Sequence, residues 1–292
     1  MFGTMKLLII AFGMLVSGFA GAVERQYIAD MHESHWTIRE NRLLCELTHI
    51  IPRYGIARFR QPAGQEISFS LSTFNASNRQ QEIVIDSTTP EWRFLAQQRN
   101  VGSTNDNGTN VPFRLNRVPA LRLLYELEDG MRPTFAYKDA ADSTQGMVVG
   151  LSSVNFRPAH QQFNYCVARL LPFGFEDVNF TRVNFEFNSD TLTDDTKSKL
   201  DKIVKYVKTD STVKRIVVGG HTDWTGTTLY NSDLSKFRTF RVLDYLTTNG
   251  VSESVIQYAS YGEEKPLQSN ETETGRKINR RVTLEIVRDS DN

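Results

Sequence analysis

The spacing of apolar residues shifts along this chain, from a period of two in the first part to runs near the period of a helix in the second. In the first part, EISFSLSTF at 66–74 and QEIVIDS at 81–87 alternate apolar and polar side chains, as a strand with one wet face requires. LRLLYELEDG at 121–130, PTFAYKD at 133–139 and GMVVGLSSVNF at 146–156 continue the pattern, and GSTNDNGTN at 102–110 reads as a loop between strands. Short strands with no long amphipathic helix among them predict an antiparallel, β-rich barrel or sandwich.

From about residue 190 the apolar positions fall three and four apart. Leu200, Ile203, Val204 and Val207 follow the capping residues Thr193 and Asp194, which predicts a helix over 194–208. RIVVGG at 215–220 is a strand. Thr239, Val242, Leu243 and Leu246 repeat the helical spacing in the helix that the Gly226 turn leads into, and Gly250 is placed to close it. VTLEIVR at 282–288 alternates again. This order predicts an α/β sandwich with helices on one side of a mixed sheet. The chain is thus expected to be α+β with two domains, 23–172 and 173–292, joined at LPFGFED, residues 171–177.

Composition sharpens the division without adding chemistry. Residues 23–175 hold 15 arginines and one lysine, Lys138, against 15 acids, whereas 176–292 hold 8 arginines and 9 lysines against 19 acids. Neither half is a basic nucleic-acid binder, and adhesion to an anionic surface by net charge alone is disfavoured. At the start, Lys6 precedes an apolar run from Leu7 to Ala20, followed by the small residues Gly21 and Ala22. The run is shorter than the roughly 20 residues that span a bilayer, so 1–22 reads as a signal peptide and the chain as periplasmic. Cys45 and Cys166 are the only cysteines. In an oxidising compartment they are expected to pair with each other; two buried thiols or a bond to another chain are the alternatives.

Catalytic chemistry finds little support. His32, His35, His49, His160 and His221 show no HExxH spacing, the cysteines form no CxxC, and no GxSxG or GxxxxGK[ST] occurs. No catalytic residue, metal or cofactor is expected. Asp223 and Arg238, fifteen residues apart across a turn and a helix start, are the notable charges. A carboxylate holds an ammonium and a guanidinium holds a carboxylate, so the pair suits an amino-acid head group. The plainer reading is a structural salt bridge or a helix cap.

FEFNSDTL at 185–192, VVGGHTDWTGTTLYNSDLSKFRTFRVLDYL at 217–246, YGEEKP at 261–266 and GRKINRRV at 275–282 stand in this order. Together they resemble the OmpA-like peptidoglycan-binding family. Where that family often reads LSxRRA, this chain has Leu234, Ser235, Lys236, Phe237, Arg238 and Thr239. The resemblance implies that Asp223 holds the ammonium and Arg238 the carboxylate of diaminopimelate in the wall's stem peptide. It implies a polar contact from Asn188, support from Arg280, and orientation of the site by Asn231. Arg276 and Arg281 are expected to anchor the loop before the last strand.

CELTHIIPRYGIARF at 45–59, together with the two cysteines and the signal peptide, resembles the T-ring proteins of sodium-driven polar flagellar motors. That likeness implies docking on the flagellar basal body and on a companion T-ring protein, MotX, with retention of the stator. The expected protein is a non-enzymatic anchor between motor and wall. A general envelope tether and a wall hydrolase are the rival expectations.

Overall fold

The computed structural model describes residues 24–74, 81–138 and 145–289. The signal peptide expected over 1–22 lies outside the described residues. The first part holds strands β1 (Glu24–Ile28), β2 (Trp36–Glu40), β3 (Leu44–Ile51), β4 (Gly55–Pro62), β5 (Ser68–Thr73), β6 (Glu82–Thr88), β7 (Gln98–Asn105) and β8 (Phe113–Leu115). Helix α1 (Arg117–Glu128), strands β9 (Arg132–Lys138) and β10 (Gly146–Gly150) and helix α2 (Phe156–Val167) follow. They form two five-stranded sheets, β1-β10-β9-β6-β7 and β2-β3-β4-β5-β8. All pairings in these sheets are antiparallel except β1 with β10. The sheets stay open, so the sandwich alternative holds and the barrel does not. Their inner faces share one core, in which Phe69 of β5 stacks on Phe135 of β9 at 5.5 Å.

Three features of this half depart from the expected pattern. LRLLYELEDG forms most of α1 instead of a strand, because Ala120, Leu123, Leu124 and Leu127 are buried at helical spacing against the sheets. Pro119 is tolerated there as a first-turn residue, where its missing N–H has no intrahelical partner to lose. α2 buries Phe156, Ala159, Phe163 and Cys166 in the same way. The expected loop at 102–110 begins only at 106, since Gly102 to Asn105 pair with β6 as the polar end of an edge strand. A disulfide joins Cys45 of β3 to Cys166 of α2, with Cα atoms 5.9 Å apart and a separation of 121 positions in sequence.

The second part runs β11 (Phe180–Asn184), α3 (Asp194–Thr209), β12 (Val213–His221), α4 (Thr228–Thr248), β13 (Ile256–Ser260), α5 (Glu273–Asn279) and β14 (Arg281–Arg288). The sheet order is β11-β14-β12-β13, with β12 parallel to β13 and the other pairs antiparallel. Val282, Leu284 and Ile286, on one face of β14, pack with Leu200, Ile203 and Val204 of α3 and with Val242 and Leu246 of α4. The helix expected over 194–208 is α3. Its cap is Thr193, whose Oγ1 accepts the Thr196 N–H at 3.3 Å, and α4 ends before Gly250, at φ 92°.

The junction at 171–177 is packed. Leu171 and Phe173 lie in the second core, as does Ala63 from the turn after β4. The Leu171 N–H donates to the Arg42 carbonyl at 2.9 Å.

Candidate functional site

Sheet register assembles the charged residues at one end of the second sheet. β12 ends at His221, which pairs opposite Arg281 of β14. That register brings Asp223, two residues beyond β12, beside Arg280, one residue before β14. The two close at 2.8 Å between Asp223 Oδ2 and Arg280 Nη1, both almost wholly buried. The other carboxylate oxygen of Asp223 accepts the Thr225 N–H at 3.0 Å, which turns the chain toward α4. Arg280 also donates to Glu273 at 3.1 Å and to the Phe185 carbonyl at 3.3 Å. Burial disfavours its charge, but Asp223 and Glu273 outweigh that effect and hold its pKa above the ordinary value.

Arg238 enters from α4. That helix can approach β12 because residue 220 is glycine; a Cβ there would collide with Thr239 Oγ1 and the Ser235 carbonyl. Arg238 heads the largest fully buried side chains among the described residues. Its guanidinium donates to the carbonyls of Ser189 at 2.8 Å, His221 at 3.2 Å and Glu186 at 3.2 Å. Burial lowers its pKa to about 10, against the opposing pull of Asp223. Three of the five N–H groups of a guanidinium are thus engaged by backbone.

The other expected residues divide. Asn188 is exposed at φ 52°, and its side-chain oxygen accepts from the Tyr230 hydroxyl. Asn231 is buried and donates to Glu263, which also accepts from Thr228 Oγ1 at 3.1 Å. Asp223, Arg238 and Arg280 therefore form one charge cluster, Asn188 stands on its rim, and Asn231 braces the first turn of α4. The ion pair of Asp223 is with Arg280 rather than Arg238. Arg276 of α5 donates to the carbonyls of Asn270 and Glu271, and Arg281 at the start of β14 to those of Lys265 and Asn279, so both tie down the segment that leads into β14.

Sequence reasoning passed over the aromatic rim and the outer acid. Phe187, Trp224 and Tyr230 are exposed around the cluster, and the Arg280 guanidinium lies 6.0 Å from the Phe187 ring centre. Trp224 adjoins Asp223 in sequence, a signal that was available. Glu273 stands seven residues before Arg280, two helical turns away, and only its contacts reveal its part. Arg280 and then Arg276 hold its carboxyl below the usual range.

His221 stacks on Tyr261 at 5.1 Å. Burial, then Arg281 and Lys265, pushes its pKa down to about 4, so the ring is neutral at neutral pH. Such an array offers fixed charges of both signs in a dry setting, the complement of a small zwitterion. Among the described residues no three of His, Cys, Asp and Glu gather as a metal set, and no helix is long and apolar enough to cross a membrane.

Comparison with known proteins agrees with both halves. A family model for the MotY N-terminal domain matches residues 27–172, and the OmpA family model matches 184–280. The sodium-type flagellar protein MotY of Vibrio parahaemolyticus is 32% identical over 288 residues, 96% of this chain and 96% of that protein. A peptidoglycan-associated lipoprotein of Pseudomonas aeruginosa is 36% identical over 104 residues, 36% of this chain and 61% of the lipoprotein. Outer membrane porin F of Pseudomonas fluorescens is 36% identical over 108 residues, which span 32% of that porin. Nearly end-to-end similarity to one relative, with both family models in the same order, makes this chain a member of the MotY family of sodium-type flagellar motor proteins, non-enzymatic and carrying an OmpA-type peptidoglycan-binding domain.

Proposed function

We propose that the chain is a periplasmic T-ring component that docks on the flagellar basal body and on MotX through residues 23–172. Residues 173–292 grip the wall, and the stator is held against it by that link. Diaminopimelate is the ligand of the second domain. Its free ammonium is held by Asp223, and its carboxylate by the two N–H groups of Arg238 that the backbone leaves over. Arg280 aims the Asp223 carboxylate through their 2.8 Å ion pair, and Asn188 makes a polar contact from the rim.

One observation carries this reading: a buried carboxylate and a buried guanidinium share one cluster beneath an aromatic rim. Since Arg238 is wholly buried, ligand entry requires the loop at 187–189 to swing away from Tyr230. A centre consumed by cross-linking lacks the free charges and is refused.

The test is co-sedimentation of the purified chain with intact sacculi. Asp223→Ala and Arg238→Lys are each expected to weaken binding more than about tenfold, because a buried partner charge loses its mate or its planar fork. Circular dichroism establishes that each variant is folded. Full binding by both folded variants would defeat the assignment, and release of soluble wall fragments would favour a hydrolase.

A further inference from the structure

The edge strand β13 and the α4 helix above it carry a pattern that matches itself under a two-fold rotation. β13 reads Ile256, Gln257, Tyr258, Ala259, Ser260, with no charge and no proline to block another strand. The opposite edge differs: β11 carries Arg182, and its Asn184 is tied to α5 by a 2.9 Å bond to the Lys277 carbonyl. Gln257 and Tyr258 are exposed, and Phe237 and Phe240 stand exposed on α4. Tyr258 meets Phe240 edge to face at 5.8 Å.

We infer that this face pairs with a second copy of the chain, β13 against β13 in antiparallel register about a two-fold axis through Tyr258. Three relations on the surface favour a copy over an unrelated partner. Tyr258 is the middle residue of β13, so the antiparallel register sets it opposite itself, Gln257 opposite Ala259 and Ile256 opposite Ser260. The same axis passes Phe240, the ring that Tyr258 touches. Lys236 and Asp244, both exposed, stand four residues before and four after Phe240, so antiparallel α4 helices set each lysine against the aspartate of the other copy.

Helix spacing agrees. α4 packs over β12 and β13. A helix above the gap between those strands stands about one strand spacing, roughly 4.8 Å, from an axis half a spacing beyond β13. The two α4 helices then lie about 9.6 Å apart, within the usual 8–10 Å for packed helices. The result is a continuous eight-stranded sheet with two charge clusters on one body, which raises avidity for a repeating polymer. The pairing does not depend on which ligand the clusters hold.

Sedimentation velocity on the chain from residue 23 should show a dimer that dissociates on dilution. Lys236→Asp should weaken it about tenfold, and adding Asp244→Lys should restore it, since two facing pairs change sign together. Tyr258→Cys should form a covalent dimer under mild oxidation, because facing residues of an antiparallel pair have Cα atoms about 4.5–5.5 Å apart. Gln257→Cys faces Ala259 and should remain uncoupled. A wild-type chain that stays single at millimolar concentration, with Tyr258→Cys folded by circular dichroism yet uncrosslinked, overturns the inference. So does a dimer that neither Tyr258→Cys traps nor the charge swap restores.

Discussion

Arg280 and Asp223 depend on each other unequally. Without Arg280, the Asp223 carboxylate is left buried beside a guanidinium already committed to three carbonyls. Without Asp223, Arg280 still meets Glu273. Arg280→Ala should therefore cost about 3–5 kcal/mol of stability, and Asp223→Ala less, as read from urea midpoints. The buried imidazoles contribute to acid sensitivity. His49, His160 and His221 all have lowered pKa values, with burial the largest cause in each. Near pH 6.5 the unfolded chain takes up protons that the folded one refuses, so stability is greatest above that pH and falls as pH drops. For His221 the loss ends near pH 4, where the folded ring also protonates. Between pH 7 and about pH 4.5, His221→Gln should lose less stability than wild type by on the order of 2 kcal/mol.

Elements meet most closely where the two halves join. Gly64, at φ 70°, sits so near Gly174 and Asp177 that a Cβ would press on the Gly174 N–H and the Asp177 carboxylate. A Cβ at Gly174 would in turn collide with the Ala63 carbonyl. Gly64→Ala combines a left-handed backbone with overpacking and should cost about 1–3 kcal/mol in thermal unfolding. α1 shows how an element can escape its local pattern. Its LRLLYELE run alternates well enough to suggest a strand, yet four buried residues at helical spacing decide the matter once two sheets are present to receive them.

At the scale of the molecule, the seam changes where the chain can be divided. Each half has its own core, but Leu171 and Phe173 belong to the second, and Ala63 of the first half packs there too. A fragment of residues 24–170 keeps both cysteines and should still dock on purified basal bodies. A fragment of residues 171–292 should bind sacculi and ignore the motor. Having lost Ala63 and its turn, it should melt about 4 °C below its own transition in the whole chain if that contact contributes about 1 kcal/mol. A first fragment that folds yet is absent from basal bodies would overturn this division of labour.

The sequence by itself determined what local spacing controls. α3 and its Thr193 cap, the close of α4 before Gly250 and the strand β14 all follow from residues within a few positions of one another. Asp223 and Arg238 stood out as charges from their spacing, but their part in a site, and Arg280 as a candidate at all, came from the resemblance of their motifs to a family. Which cation meets Asp223 was not legible. Arg280 lies 57 residues away and arrives only because β12 pairs with β14 in the register that sets His221 opposite Arg281. The aromatic rim and the α1 helix were decided in the same way. Periodicity reports which face of an element is apolar, but only the packed chain supplies what that face meets.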